Sequence, residues 1–219
     1  MPLLMLFLAM TLAQMLRNCA PSVSPQTMTA IVRVESGGNT LALRDNTLGQ
    51  SFAPGDTREA VAWASQLIAM GHSLDIGLAQ INSANLSMLG LTVRQAFDPC
   101  TNLQAGATIL GDDYRNAAEH FGAGQYALRR AIGAYNTGSL YAGQDYVNEI
   151  LAAAGLAPET VYAPPVQATT GSAQNGVPPG GSGSKAKAKH GIPGADATPG
   201  PSYTVQSAPG SAVTVIVGN

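Results

Sequence analysis

The sequence predicts a mainly α fold of the α+β type: a helical domain with a small β element, followed by a disordered tail. Segments within residues 14–157 carry apolar residues at helical spacing and end near glycine. The segment "DIGLAQIN" (75–82) instead favours a short strand or an irregular loop. From Pro158 onward the chain has nine Pro and ten Gly in 62 residues, above the roughly 25–30% that marks low-complexity sequence. The predicted tail is therefore 158–219.

The N-terminus, "MPLLMLFLAMTLAQ", is apolar but too short to span a bilayer as a helix. It fits the apolar region of a signal peptide, with Thr11-Leu12-Ala13 as an acceptable cleavage site. We therefore expect residues 1–13 to be a signal peptide. Because no Lys or Arg precedes the apolar run, the alternative that these residues begin the domain as a buried helix stays open.

Capping residues predict where the helices of residues 14–157 begin. Ser24, Asp56 and Asp98 each precede an apolar-periodic run and can accept a hydrogen bond from its first turn. Two further helices are predicted from "GQYALRRAIGAYNTG" (124–138) and "QDYVNEILAAAG" (144–155). Together these segments make the domain mostly helical.

Glu35 breaks the pattern of the helix that Ser24 caps. It falls at i+7 from Met28 and i+4 from Ile31, so its carboxylate shares their apolar face. It also lies in the last turn, where the helix dipole is negative. Apolar neighbours and this dipole both act to raise the pKa of a carboxyl. Glu35 is therefore the first candidate for a proton-transferring residue.

Three short segments combine small residues with amide, hydroxyl or carboxylate groups at predicted helix ends: "ESGGN" (35–39), "GLAQIN" (77–82) and "AYNTG" (134–138). Each alone is weak, since such sequences occur in ordinary turns. In this order and spacing they resemble the signature of lysozyme-fold lytic transglycosylases, which cleave bacterial cell-wall peptidoglycan. The longer surroundings are similar to the specialised transglycosylases of type IV secretion and conjugation systems, over roughly residues 14–155.

The resemblance implies an α+β lysozyme-like fold, and the sequence departs from the family pattern at two places. Ala79 stands where that family usually has Met in its "GLMQ" segment. The run "GSLYAGQDYV" (138–147) also differs from the family's usual sequence after "AYNTG".

For the reaction, the resemblance implies that Glu35 is the only catalytic carboxylate. Cleavage of a β-1,4 glycosidic bond needs an acid that protonates the leaving oxygen. Glu35 would supply that proton and then act as base on the C6 hydroxyl of the substrate. This hydroxyl and the N-acetyl group are the internal nucleophiles, and the product carries a 1,6-anhydro-muramyl end. No metal or organic cofactor is implied.

The resemblance also implies a substrate-binding set around Glu35. Ser36 would hold Glu35 or a sugar substituent, whereas Gln80 and Asn82 would be amide partners of N-acetyl and hydroxyl groups. Tyr135 would pack against the reacting sugar or hydrogen-bond Glu35. Asn136 would fix the turn that follows. Three of the five also have an ordinary structural interpretation: a core aromatic for Tyr135, a helix-end residue for Asn136, and an incidental hydroxyl for Ser36.

Cys19 and Cys100 are the two cysteines of the chain. The three histidines are isolated from them in the sequence, which argues against a zinc site. In an exported protein one structural disulfide is expected. Two buried free thiols are the alternative if the chain stays in the cytosol.

The leading hypothesis is an exported, periplasmic lytic transglycosylase that opens peptidoglycan locally for a type IV secretion or conjugation apparatus. Its partners would be glycan strands and, through the tail, components of the apparatus. The formal net charge of −2 argues against nucleic acid. One alternative is a muramidase that uses water positioned by Asp75. The ordinary interpretation of Asp75 is a loop residue that hydrogen-bonds the backbone of a turn. Another is a non-enzymatic peptidoglycan-binding assembly factor.

Overall fold

A computed structural model of the chain describes residues 11–158. The predicted tail after Pro158 and all but the last three residues of the predicted signal peptide lie outside this range. Within the range, no helix has both the length and the apolarity needed to cross a bilayer.

Residues 11–158 form a mainly α structure with a small sheet, as the sequence predicts. The helices are α1 Leu12–Cys19, α2 Pro25–Ser36, α3 Thr57–Ala69, α4 Val93–Ala96, α5 Pro99–Phe121, α6 Gln125–Thr137 and α7 Gln144–Ala153. The strands are β1 Leu43–Asp45, β2 Gln50–Phe52, β3 Leu74–Ile76 and β4 Ile81–Asn82, and a 3-10 turn follows at Ser83–Asn85.

The predicted helix caps are confirmed. The side chain of Ser24 accepts from the N–H of Thr27 at the start of α2. Asp56 and Asp98 cap α3 and α5 in the same way. Because each cap satisfies a backbone donor that the helix leaves unpaired, the local sequence decides where these helices begin. The first helix, α1, begins within the predicted cleavage site and is capped by Thr11.

The four strands form one antiparallel sheet in the order β2-β1-β3-β4. The central pair places Leu43 opposite Ile76, and both side chains are buried. Of the two structures predicted for "DIGLAQIN", a short strand or an irregular loop, the structure has strand: β3 and β4 are joined by a tight turn at residues 77–80. This turn brings polar residues of the segment against the helices.

The core lies between α5 and the elements that surround it. The longest helix, α5, packs along α6 and also contacts α1, α4 and β4. Among its fully buried side chains are Leu103, Leu110 and Tyr114. A disulfide joins Cys19 at the end of α1 to Cys100 in the first turn of α5, with their Cα atoms 5.2 Å apart. The disulfide predicted from the sequence is therefore present.

Candidate active site

Glu35 lies in the last turn of α2, and α7 supplies a hydrogen-bond donor to it. Gly37 ends the helix with a φ of 61°, and Glu35 is half-buried beside it. The hydroxyl of Tyr146 donates to Oε1 of Glu35 at 2.6 Å. Burial and the negative charge of Glu35 raise the pKa of Tyr146 well above its usual value. Tyr146 therefore stays a protonated donor to this carboxylate at physiological pH.

Ser36 fastens the end of α2 to the turn at 77–80. Its Oγ donates to the carbonyl of Leu78 at 2.8 Å, and the carbonyl of Val32 is 3.1 Å away. It also accepts from the N–H of Gly38 at 3.2 Å. Since a hydroxyl has one hydrogen, Ser36 donates it to the main chain and has no second hydrogen to donate to another acceptor. The contact fixes the position of the helix turn that carries Glu35.

Gln80 adopts a backbone conformation that side-chain-bearing residues rarely use. Its φ is 47°, the one positive value outside glycine among residues 11–158. Its Nε2 donates to the carbonyls of Gly77 at 2.9 Å and Ala42 at 3.3 Å. A left-handed conformation costs roughly 1–2 kcal/mol for such a residue. The turn therefore holds Gln80, which is buried, in place at the expense of backbone strain.

Asn102, on α5, forms hydrogen bonds that hold the same turn in place. Its Nδ2 donates to the carbonyls of Ile76 and Ala96 at 2.8 and 2.7 Å, and its Oδ1 accepts from the N–H of Ala79 at 2.8 Å. A Cβ on Gly77 would lie 2.5 Å from Nδ2 of Asn102. The glycine of "GLAQIN" therefore makes room for the amide that fixes the turn.

Tyr135 reaches the turn from α6. Its hydroxyl donates to the carbonyl of Ala79 at 2.7 Å, which engages its one hydrogen. Burial raises the pKa of Tyr135 well above its usual value, and the negative charges of Glu35, Asp113 and Asp75 add to the shift. Tyr135 therefore stays protonated at physiological pH.

Ala79 is fully buried, with 0% of its surface exposed. A Cβ placed on Gly106 of α5 would come within 2.8 Å of the Ala79 Cβ and 3.1 Å of the Tyr135 hydroxyl. The departure from the family pattern at position 79 therefore concerns how the turn packs on α5. It does not change an exposed wall of a groove.

Asn82 and Asp75 bond to each other across β3 and β4. Nδ2 of Asn82 donates to Oδ1 of Asp75 at 2.8 Å and to Oγ of Ser73 at 3.1 Å. Its Oδ1 accepts from the N–H of Ala84 at 3.0 Å. Both hydrogens of the Asn82 amide are thus used within the sheet, so this amide supports Asp75.

A small open pocket lies beside these residues. Its volume is about 20 Å³, and its lining includes Gln80, Asn85, Ile109, Asp113, Tyr135 and Asn136. We call it the Asp113 pocket. Burial, with a further contribution from the negative charge of Asp112, raises the pKa of Asp113 to about 7. The pocket therefore combines amide groups with a carboxyl that titrates near neutral pH.

The structure brings the six sequence-predicted residues into one region, but with different contacts from those expected. Tyr146, which no sequence argument singled out, donates a hydrogen bond to Glu35, which is one of the two roles that the resemblance implied for Tyr135. Tyr146 lies in "GSLYAGQDYV", the run that differs from the family pattern. Asn102 and Asp113 were also missed, because both lie within α5, outside the three segments on which the family resemblance rests.

The chain matches the family "Transglycosylase SLT domain" over residues 15–149, a range that includes all of these residues. It is also similar to "Protein virB1" of Agrobacterium fabrum (strain C58), which is 44% identical over 142 residues, 63% of this chain and 57% of that protein. "Type IV secretion system protein virB1" of Brucella abortus biovar 1 (strain 9-941) is 39% identical over 160 residues, 68% of this chain and 66% of that protein.

No solved structure matches the chain significantly. The match covers less than two thirds of the length of the Agrobacterium protein, at 57%. The family match spans well over half of the 219 residues of this chain. The chain therefore belongs to the transglycosylase SLT domain family.

Proposed function

We propose that this protein is a lytic transglycosylase that cleaves the MurNAc–GlcNAc β-1,4 bond of peptidoglycan and forms a 1,6-anhydro-MurNAc end. The observation that carries the proposal is the hydrogen bond from Tyr146 to Glu35. It holds a helix-end carboxyl beside the 77–80 turn, within a chain that belongs to the SLT family. This contact fixes the orientation of the one carboxyl to which we assign both steps of the proton transfer.

Glu35 is the proposed catalytic residue. It protonates the glycosidic oxygen as the bond from C1 of MurNAc to that oxygen breaks. The C6 hydroxyl of the same MurNAc then bonds to C1 and gives its proton to Glu35. The carboxyl ends the cycle in its starting state, and no water is consumed. Tyr146 is a positioning residue, because its contact fixes the orientation of the carboxyl.

The substrate-binding roles follow from the contacts around the turn. Gln80, Tyr135 and Asn136 line the Asp113 pocket and are the proposed contacts to sugar substituents. Ser36 and Asn82 also belong to the proposed binding set. Their side chains form hydrogen bonds to the main chain, to Asp75 and to Ser73, which supports a role in shaping the site.

The experiment is product analysis of purified protein on peptidoglycan by mass spectrometry. The wild type should release fragments with anhydro ends, which are lighter by one water than reducing ends. Glu35→Gln should fold and release neither. Glu119→Gln makes the same change at an exposed position of α5 and should leave activity intact.

Each other result contradicts the proposal. Reducing ends from the wild type would assign the reaction to hydrolysis, for which Asp75 is the candidate residue. Fragments of either kind from Glu35→Gln would show that another residue transfers the proton. An inactive wild type that binds glycan strands would support a non-enzymatic assembly factor.

We further propose that the enzyme opens the cell wall for a type IV secretion or conjugation apparatus. The support is the similarity to the Brucella protein, whose name, "Type IV secretion system protein virB1", assigns it to such a system. In a host that lacks the gene, wild type and Glu119→Gln should restore transfer of the cargo, whereas Glu35→Gln should not. Restoration by Glu35→Gln would show that transfer of the cargo does not require glycan cleavage by this protein.

We also propose export to the periplasm, directed by residues 1–13, and recruitment of apparatus components by residues 158–219. The disulfide between Cys19 and Cys100 supports an oxidising compartment. Removal of residues 2–10 should retain the protein in the cytosol in cell fractionation. Removal of residues 159–219 should leave cleavage of purified peptidoglycan unchanged and lower transfer. Loss of cleavage in the second variant would contradict the separate role of the tail.

A further inference from the structure

Asp113 is a buried carboxyl that the proposed reaction does not use. It lies on the inner face of α5 with 1% of its surface exposed, and it lines the Asp113 pocket with Gln80, Tyr135 and Asn136. These three residues come from the second and third of the segments on which the family resemblance rests. Asp113 thus lines the same pocket as the proposed substrate contacts.

A carboxyl at this position is costly for folding. Burial and the neighbouring Asp112 raise the pKa of Asp113 to about 7, so its ionised form is destabilised relative to that in the unfolded chain. An Asn or a Leu would suit the core better. Groups that lower stability in a pocket are a common feature of binding sites.

The hydrogen bonds around the pocket determine what kind of ligand it can take. Both amide hydrogens of Gln80 go to main-chain carbonyls, so Gln80 can contact a ligand only through its oxygen. The hydrogens of the Asn82 amide, also at the pocket, go to Asp75 and Ser73. An ionised Asp113 likewise only accepts. These groups match a ligand that donates hydrogen bonds.

The volume and the apolar lining of the pocket further restrict which chemical groups can bind there. A volume of about 20 Å³ holds one group about the size of a water molecule. Ile109 and Ala134 provide apolar surface next to the acceptors. A single hydroxyl, or the N–H of an acetamido group with its carbon neighbours outside, fits this combination. Such donors occur on every sugar of a peptidoglycan strand.

We propose that the Asp113 pocket is a saccharide subsite in which Asp113 accepts a hydrogen bond from a hydroxyl or acetamido N–H of the glycan strand. This inference deepens the proposed function and rests on it. Asp113 is then a substrate-binding residue, separate from Glu35, which moves the proton. It sets how tightly the strand is held, and the bond-breaking step does not depend on it.

The test measures binding of tetra-N-acetylchitotetraose by calorimetry at pH 8, in a Glu35→Gln background that cannot turn the ligand over. Adding Asp113→Asn keeps the shape but removes the charge, and should weaken binding roughly tenfold or more. Adding Glu119→Gln, the same loss of charge at an exposed site of the same helix, should change it less than about twofold. Adding Ala134→Val fills the pocket with Asp113 intact and should also weaken binding.

The same binding measurements with a second oligosaccharide, cellotetraose, complete the experiment. Cellotetraose has hydroxyls in place of acetamido groups. A loss confined to the acetylated oligosaccharide assigns the acetamido N–H as the donor, whereas an equal loss for both shows that a sugar hydroxyl can donate to Asp113 in the pocket. If Asp113→Asn and Ala134→Val both bind as tightly as Glu119→Gln, the pocket is not a subsite.

The outcome for the pocket is distinguishable from that for the proposed function. If the wild type releases anhydro products and Asp113→Asn binds normally, only the subsite assignment is wrong. If the wild type releases no product and the Glu35→Gln protein binds no oligosaccharide, the proposed function itself fails. A drop in the thermal unfolding midpoint of Asp113→Asn that accounts for weaker binding would make Asp113 a structural residue and overturn the assignment.

Discussion

The hydroxyl of Tyr146 lies 2.6 Å from Oε1 of Glu35, although the two residues are 111 positions apart in the chain. The contact depends on the packing of α7 against α2. Tyr146 is 7% exposed, so water competes little for its hydroxyl. The carboxyl at the end of α2 is therefore oriented by a residue of α7, the last helix in residues 11–158.

Removing this hydroxyl should lower turnover while leaving the fold intact. Tyr146→Phe deletes one hydrogen bond to a carboxylate, and Glu35 then samples orientations in which it cannot reach the glycosidic oxygen. We expect kcat to fall roughly ten- to a hundredfold, as for other charge-assisted hydrogen bonds, with KM nearly unchanged. Tyr141→Phe removes a hydroxyl from a residue that is 72% exposed and serves as the control. Equal activity of the two variants would contradict the positioning role of Tyr146.

Two glycines of α5 should respond in opposite ways to replacement by alanine. A Cβ at Gly106 meets the Ala79 Cβ at 2.8 Å, whereas at Gly111 the nearest atom is a flexible arginine nitrogen at 3.8 Å. Gly111→Ala should raise the free energy of unfolding by roughly 0.5–1 kcal/mol, because glycine is a poor helix former. Gly106→Ala should lower it by roughly 1–3 kcal/mol through overpacking.

Denaturant unfolding of both variants measures this difference. Ala79→Gly removes the methyl that Gly106→Ala would strike, so the double variant should recover part of the loss. If Gly106→Ala is as stable as Gly111→Ala, the turn at 77–80 does not pack on α5 as closely as the contacts indicate.

Local signals made most of the helical fold predictable. Ser24, Asp56 and Asp98 precede their helices directly, and the side chain of each cap bonds a backbone N–H three residues later. The hairpin of β1 and β2 was not predicted. Its three-residue strands include Arg44 and Gln50, which give no alternating apolar pattern, and β1 lies in the sheet through its pairing with both β2 and β3.

The candidate site was predictable only in part, because some of its residues depend on contacts between distant parts of the chain. Glu35 could be found because its charge breaks an apolar pattern within a single helix. The donor to Glu35 could not, since nothing near Tyr146 in the sequence shows that α7 packs on α2. The burial of Asp113 likewise depends on how α5 and α6 pack together. Long-range contacts of this kind follow from tertiary structure, which single-sequence patterns do not encode.

Asn102 should be among the residues of α5 most sensitive to truncation. Asn102→Ala removes the partner of two buried carbonyls and of the N–H of Ala79. Leaving such groups without a partner costs roughly 1–3 kcal/mol each, so the free energy of unfolding should fall by at least about 3 kcal/mol. Asn116→Ala, at an exposed position of the same helix, should change it by less than about 0.5 kcal/mol. Similar values for the two variants in denaturant unfolding would show that the turn at 77–80 holds without Asn102.

Asp113→Asn should stabilise the protein at pH 8 and have little effect at pH 4. The pKa of Asp113 is raised from 3.8 to about 7 by burial and by Asp112, and the Tyr135 beside it stays neutral. A raised carboxyl pKa lowers stability as pH rises from about 4 to about 7, with a ceiling of roughly 4 kcal/mol above that range. Because Asn does not ionise, the Asp113→Asn variant does not lose stability over this pH range. Thermal unfolding midpoints of the two proteins across pH 4–8 measure it, and Glu119→Gln controls for net charge. A midpoint for Asp113→Asn below that of the wild type at pH 8 would show that the ionised carboxylate stabilises the fold.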